Sequence, residues 1–169
     1  RIAALVAKGL TPAHDAYLGT APFLLSYWVL YDHNWALVTN GGVTLGALAV
    51  ADEQPALART VVHEALQRVP PAMAHYAPDG GWPEGVSYWE YATEYAGYLV
   101  TWLDTVLGTD FGLTTLPGFS TTGDVPAQLT GPTGQRFNWA DDGEPRYAPS
   151  VPFLFWTAER FGRPQDRAY

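Results

Sequence analysis

The chain has 169 residues, of which 47 % are hydrophobic and 15 % are charged, so it can form one compact domain with a real core. Its formal net charge of −8 excludes long-range attraction to nucleic acid or to anionic membranes. It contains no cysteine, which excludes disulfides and thiolate metal sites. Arg1 opens an apolar run without a signal peptide, and we expect the chain to be a piece of a longer protein.

The first segments along the chain predict helices of different lengths. Residues 1–10 are typical of the tail of a helix that ends near Gly9. Residues 23–31 are apolar and aromatic, and they predict a short helix or a buried loop. Residues 34–51 predict a longer helix. Its small residues recur at helical spacing and would let a second helix approach closely, at Gly42, Gly46 and Ala49.

A second pair of helices follows. Pro55 suits the first turn of a helix with an apolar stripe, and Pro70-Pro71 is expected to interrupt or kink it. After a Gly- and Pro-rich loop over residues 77–86, residues 87–107 form the strongest helical pattern. Ser87 and Glu90 have the spacing of a capping box. The aromatic residues of one face are Tyr88, Tyr91, Tyr95, Tyr98 and Trp102, and Gly108 ends the helix.

The last third of the chain is mostly irregular. Residues 109–148 are rich in Gly, Pro and Thr, with one short helix predicted over 125–129. A final helix is predicted over 152–161 and is closed by Gly162. Because no alternation of period two persists, we predict a single all-α domain of antiparallel helical hairpins over residues 1–169.

Three segments resemble the heparinase II/III-like polysaccharide lyases, which are related to alginate lyases. They are HNWALVTNGG at 33–42, YAPDGGWPEGVSYWEY at 76–91 and GPTGQRFNWADDG at 131–143. The resemblance covers residues 30–162. It implies part of an (α/α) toroid whose C-terminal β-sandwich is absent from this chain. It also implies a bacterial enzyme, secreted or periplasmic, that cleaves acidic, uronate-containing polysaccharides.

The resemblance carries two catalytic roles over to this chain. Asn34 matches the residue that neutralises the uronate carboxylate, and Tyr88 matches the base and acid of the β-elimination. Both lie at predicted helix N-termini, where negative charge is favoured, which suits an enolate and a phenolate alike. Two other interpretations remain open: Asn34 could be a helix N-cap, and Tyr88 could belong to an aromatic core stripe.

Other residues of these segments are candidate substrate contacts. His33 could touch the sugar, be the neutraliser itself if the register is off by one, or be structural or merely exposed. Glu84 could bind a hydroxyl, orient Tyr88 or stabilise its loop. Trp82 and Trp89 are candidate stacking platforms for sugar rings, or ordinary core residues.

Arg136 is the one basic residue inside a matched segment apart from histidine. It could bind a substrate carboxylate or sulfate, or pair at the surface with Asp141 or Asp142. The remaining histidines lack metal-ligand spacing, so the sequence predicts no metal site and no cofactor.

Two other functions compete with the lyase. A toroidal glycoside hydrolase needs two carboxylic acids, which Glu84 with Asp79, Glu90 or Glu94 could provide. A non-catalytic helical domain could bind glycans through its aromatic residues or act as a structural module. Neither alternative involves nucleic acid or a membrane.

Overall fold

The computed structural model describes residues 1–143 and 152–168, and in these residues the chain is all-α, as predicted. The α-helices are α1 (Ile2–Leu5), α2 (Thr11–Tyr17), α3 (Phe23–Ser26), α4 (Asn34–Leu48), α5 (Pro55–Met73), α6 (Val86–Leu107), α7 (Val125–Gln128) and α8 (Phe153–Phe161). Within the described part, strand pairing is limited to one isolated bridge between Thr130 and Arg136. No helix in these ranges is both long and apolar enough to cross a membrane.

Three long helices form the framework. Helix α4 packs against both α5 and α6. It approaches α6 most closely at Gly41, where a methyl group would lie 3.1 Å from the carbonyl oxygen of Tyr95. Since Glu84, just before α6, also bonds to Asn34 at the start of α4, these two helices run parallel and begin at the same end of the molecule.

The larger core lies between α4, α5, α6 and α8. Its largest fully buried side chains include Trp89, Tyr76 and Phe119. The Tyr76 hydroxyl donates to Thr93 Oγ1 at 2.8 Å, and burial raises the pKa of Tyr76 above its ordinary value, so this phenol stays protonated. A second, smaller core joins α2 to α4 and α5.

Two helix boundaries differ from the sequence prediction. The first helix does not end near Gly9, because a π-helical turn at Val6–Leu10 carries it into α2 just before Pro12. Helix α5 does not break at Pro70-Pro71. Each proline removes one N–H donor from the helix, and the fully buried Met73 anchors the end of α5.

The start of α6 is capped by a distant residue. The helix begins at Val86 with Gly85 as its N-cap, so the predicted capping box at Ser87 and Glu90 is wrong. Asp142 takes the capping role: its carboxylate accepts from the Val86 backbone N–H at 3.0 Å and from the backbone N–H of Ser87 at 3.3 Å. It also accepts a hydrogen bond from the Ser87 hydroxyl.

The aromatic stripe of α6 is largely a surface feature. Tyr91, Tyr98 and Trp102 are each more than 40 % exposed. Tyr95 links the first two through edge-on ring contacts at 5.5 and 5.9 Å. Helical spacing therefore predicted correctly which aromatic residues share one face of α6. It could not show whether another helix packs over that face.

Candidate active site

Asn34 is the first residue of α4 and is not its N-cap. His33 has that role, and its Nδ1 accepts a hydrogen bond from the backbone N–H of Trp35 at 3.3 Å. The Asn34 side chain, only 2 % exposed, is therefore free for another interaction. The interpretation of Asn34 as a simple cap is wrong.

The Glu84 carboxylate binds Asn34 twice. Oε1 accepts from the Asn34 side-chain amide at 2.7 Å, and Oε2 accepts from the Asn34 backbone N–H at 2.8 Å. Oε2 also accepts from the indole N–H of Trp82 at 2.9 Å. A carboxylate at the first residue of a helix also interacts favourably with the helix dipole. Glu84 thus ties the 77–85 loop to the beginning of α4.

The other end of the Asn34 amide has no hydrogen-bond partner among residues 1–143 and 152–168. Its Oδ1 is buried and accepts no hydrogen bond from any residue that the structure describes. A buried acceptor left unpaired costs about 1–3 kcal/mol, and such groups concentrate at functional sites. The amide of Asn34 is therefore oriented on one side and unsatisfied on the other.

Tyr88 lies in the first turn of α6, four residues after Glu84. Its side chain is half-buried and packs against the edge of the larger core. Because α4 and α6 are parallel and Glu84 bonds to Asn34, Tyr88 and Asn34 lie at the same end of the framework. We call this end, containing Asn34, Glu84 and Tyr88, the candidate site.

The third sequence segment folds against the candidate site. Besides the cap that Asp142 provides, the Trp139 indole donates to the carbonyl oxygen of Pro83 at 3.2 Å. Gly85, at φ +98°, leaves room for this approach, since a methyl group there would lie 2.8 Å from the carbonyl oxygen of Trp139. All three segments that carry the resemblance therefore meet at one place.

Arg136 faces Glu90. Its Nη1 lies 3.8 Å from Glu90 Oε2, and its side chain is only 7 % exposed. The expected alternative pairing with Asp141 or Asp142 is wrong, because Asp142 caps α6. Nε and Nη1 of Arg136 have no hydrogen-bond partner in the described ranges. Burial raises the pKa of Glu90, Arg136 opposes this shift and the neighbouring Glu94 adds to it.

The two tryptophans predicted to stack on sugar rings do not have exposed ring faces. Trp89 is fully buried, and its indole N–H donates to Thr122 Oγ1 at 2.6 Å. Trp82 is 3 % exposed, and its ring packs against Tyr76. Both belong to the larger core, so the prediction that they are stacking platforms is wrong.

Other residues at the candidate site were missed. His75 Nε2 lies 3.3 Å from Asp32 Oδ2, and the His75 ring meets Trp82 edge-on. Exposed aromatic rings at Tyr31 and Trp35 flank His33. The sequence offered one signal for these residues, their position beside the matched segments. Tyr31 and Trp35 lie around the start of the first segment, and His75 directly precedes Tyr76, the first residue of the second segment.

Within the described ranges, no group of three or more His, Asp or Glu side chains is placed to hold a metal ion. No protein-family model matches the sequence, and no curated protein matches it. The function is therefore argued from the three segments and from the geometry that brings them together.

Proposed function

We propose that this chain is the helical part of a polysaccharide lyase that cleaves uronate-containing glycans by β-elimination. In this proposal its hairpins belong to an (α/α) toroid, and the parent protein adds a β-sandwich. The observation that supports it best is the bonded link from Glu84 to Asn34, because it puts the Asn34 amide and the Tyr88 phenol at one end of two parallel helices.

The reaction removes the proton on C5 of a uronate and expels the oxygen on C4. Tyr88, as the phenolate, takes the C5 proton; the C4–O bond breaks, and a C4–C5 double bond forms. The resulting phenol returns the proton to the departing oxygen. Asn34 lowers the cost of the enolate-like intermediate by hydrogen bonding the adjacent carboxyl group.

Access to Asn34 needs a movement, because the amide is covered. Glu84 bonds to it from the 77–85 loop, and the Trp82 indole N–H donates to Glu84, so in this proposal the substrate reaches Asn34 when this loop shifts away from α4. Closed loops that exclude water are a common feature of enzyme sites. His33 and Glu84 then border the carboxyl group, and the expected contact at Arg136 lies beyond the first turn of α6.

The anionic substrate requires local positive charge, since the chain carries a net charge of −8. The groups able to supply it are the guanidinium of Arg136, beside Glu90 on α6, and the imidazoles of His33 and His75. His75 Nε2 lies 3.3 Å from Asp32 Oδ2. We therefore assign the attraction of the uronate to these three side chains.

The test is a screen of uronate polysaccharides with the parent protein, monitored by the ultraviolet absorbance of the new double bond. We expect product from the parent and a loss of at least about a hundredfold in Tyr88→Phe, because the proton transfer is removed. Tyr91→Phe, three residues along α6 and exposed, should keep full activity.

Other products would identify the competing functions. New reducing ends without ultraviolet absorbance would mean a hydrolase, and saturable binding without product would mean a glycan-binding module. The structure gives the hydrolase little support, since the three hydrogen bonds that Glu84 accepts from described residues hold its loop against α4.

A further inference from the structure

We propose that an apolar groove at the far end of α4 and α6 is a binding site for a small amphipathic carboxylate, with Arg59 as the partner of the carboxylate group. The groove encloses about 400 Å³, which lies within the range of small-molecule sites. Leu48 and Leu107, the last residues of α4 and α6, line it, whereas Asn34 and Glu84 lie at the beginning of these helices. The inference is therefore independent of the proposed function.

The walls of the groove are mostly apolar. Besides the two leucines, α5 contributes aliphatic side chains at Ala58, Val62 and Leu66. Ala58 is buried, and Val62 and Leu66 are half-buried, so these side chains form a continuous lining that joins the groove to the cores of the protein. Such a surface favours an alkyl or aryl group, because removing apolar surface from water is the main favourable contribution to binding.

Two side chains that carry hydrogen-bond donors border these walls. Arg59 and His63 are four residues apart and so lie on the same face of α5. Within residues 1–143 and 152–168, neither side chain forms a hydrogen bond or an ion pair. By contrast, Arg68 on the same helix and Arg160 on α8 are paired with carboxylates. A guanidinium beside an apolar groove is complementary to a carboxylate with an apolar tail, because its planar donors can bind both carboxylate oxygens.

The carboxylates that neighbour the groove residues in sequence do not occupy Arg59. Asp110, next to Phe111, accepts a hydrogen bond from Arg160 Nη2 at 3.0 Å. Asp52 and Glu53, in the turn before α5, are exposed and form no ion pair with Arg59 in the described structure. The guanidinium is therefore open to an anionic ligand.

Phe111 forms the remaining wall and has a strained backbone. Its φ is +55°, a region that bulky residues rarely adopt. Burial in a core does not account for this conformation, since Phe111 is 53 % exposed. The turn is fixed by two hydrogen bonds: the Phe111 N–H donates to Thr109 Oγ1 at 3.0 Å, and the Gly112 N–H donates to Asp110 Oδ1 at 2.9 Å. Strained residues that the surrounding structure holds in place cluster at ligand sites, and this one presents an aromatic ring to the groove.

The experiment titrates the full-length protein, isotope-labelled in its leucine and valine methyl groups, with octanoate. We expect saturable NMR shifts of the methyl groups that line the groove, at Leu48, Val62, Leu66 and Leu107, and none at Val86, at the other end of α6. Each methylene removed from the ligand, from octanoate to butyrate, should weaken binding about threefold, because less apolar surface is buried. Octanol, which lacks the charge, should bind about tenfold more weakly than octanoate.

Two variants separate the charge from the ring. Arg59→Gln should weaken octanoate binding about tenfold and leave octanol binding unchanged. Arg167→Gln, which changes an exposed arginine that pairs with Glu159 outside the groove, is the matched control and should bind octanoate normally. Phe111→Gly removes the ring at a φ that glycine adopts without strain, so the protein should fold normally and bind both ligands more weakly.

Equal affinity for octanol and octanoate, or unchanged octanoate binding in Arg59→Gln, would overturn the inference, because the groove would then be an apolar patch without a carboxylate site. Groove methyl groups that do not respond to octanoate would also overturn it, and another part of the protein would then cover this surface. Tyr88→Phe, in the first turn of α6, should leave octanoate binding unchanged, so the result does not depend on the lyase proposal.

Discussion

The carboxylate of Glu84 accepts hydrogen bonds from both the backbone and the side chain of Asn34, a residue 50 positions away in the sequence. It is the contact that joins the first and second matched segments. A bond of this kind supports the fold by satisfying donors at the start of α4. It supports the proposed chemistry by fixing the amide.

Glu84→Gln should lower the free energy of unfolding by about 1–3 kcal/mol, because the buried N–H groups of Asn34 and Trp82 lose a charged acceptor. Urea denaturation followed by circular dichroism would measure this change. Glu53→Gln, at an exposed position in a turn, should change stability by less than about 0.5 kcal/mol. Equal effects of the two substitutions would show that the three bonds contribute nothing in solution.

Asp142→Ala should destabilise the start of α6 by about 1–2 kcal/mol, since the N–H groups of Val86 and Ser87 lose their cap. The neighbouring Asp141→Ala is the control, because Asp141 is exposed. Hydrogen exchange of the Val86 and Ser87 amides gives a local readout, and we expect faster exchange in Asp142→Ala alone. Unchanged protection of these two amides would contradict the capping role.

Gly118→Ala should destabilise the protein by more than about 3 kcal/mol, because a methyl group there would overlap the carbonyl oxygen of Tyr76 and φ is +82°. Gly108→Ala separates the two contributions. Its φ is +72°, but the space around it is open, so it should cost only about 1 kcal/mol. Thermal unfolding of the two variants side by side provides the comparison, and similar losses would mean that the contact with Tyr76 relaxes easily.

Local signals predicted most of the helices. Pro55 opens α5, while Gly108 and Gly162 close α6 and α8 in the left-handed conformation that favours glycine. The predicted short helix after residue 124 is present as α7. These features depend on neighbouring residues alone, which is why the sequence is sufficient to place them.

The errors occur where a residue far away in the sequence determines how a helix is capped or which side chains are buried. Ser87 has the spacing of a cap, yet Asp142, 55 positions away, provides it. Trp89 lies in a matched segment beside Tyr88, but the helix turns its ring into the core. The part of the 109–148 prediction that falls on residues 144–148 lies outside the described residues. Neither spacing nor composition can specify which element packs against a given face.

For the candidate site, the sequence identified the residues better than their roles. Of the residues chosen, Asn34 and Glu84 bond to each other, and Tyr88 follows Glu84 by four positions, in the first turn of α6. The bond between Asn34 and Glu84 was not foreseen, because it closes a loop across two helices. The contact of His75 with Asp32 was missed for the same reason, since α5 returns to the start of α4 only in three dimensions.

Glu90 gives a test of the electrostatics beside the candidate site. Burial raises its pKa, with Arg136 opposing the shift and Glu94 adding to it. Because the folded chain then holds this proton to higher pH than the unfolded chain, whose glutamates titrate near about 4.3, the contribution of Glu90 to stability falls as pH rises above that value. This contribution becomes constant once the pH exceeds the pKa of Glu90 in the folded chain.

The stability of the natural protein minus that of Glu90→Gln should therefore decrease as pH rises from about 4 and then level off. Urea denaturation at a series of pH values measures this difference, and Glu53→Gln, at an exposed site, should give a nearly flat difference over the same range. The sign of the change in this difference with pH decides between the two effects. A difference that increases with pH would mean that the ion pair with Arg136, at 3.8 Å, outweighs the burial of Glu90. Arg136 would then be fully engaged by Glu90 and lost as a candidate contact for a substrate anion.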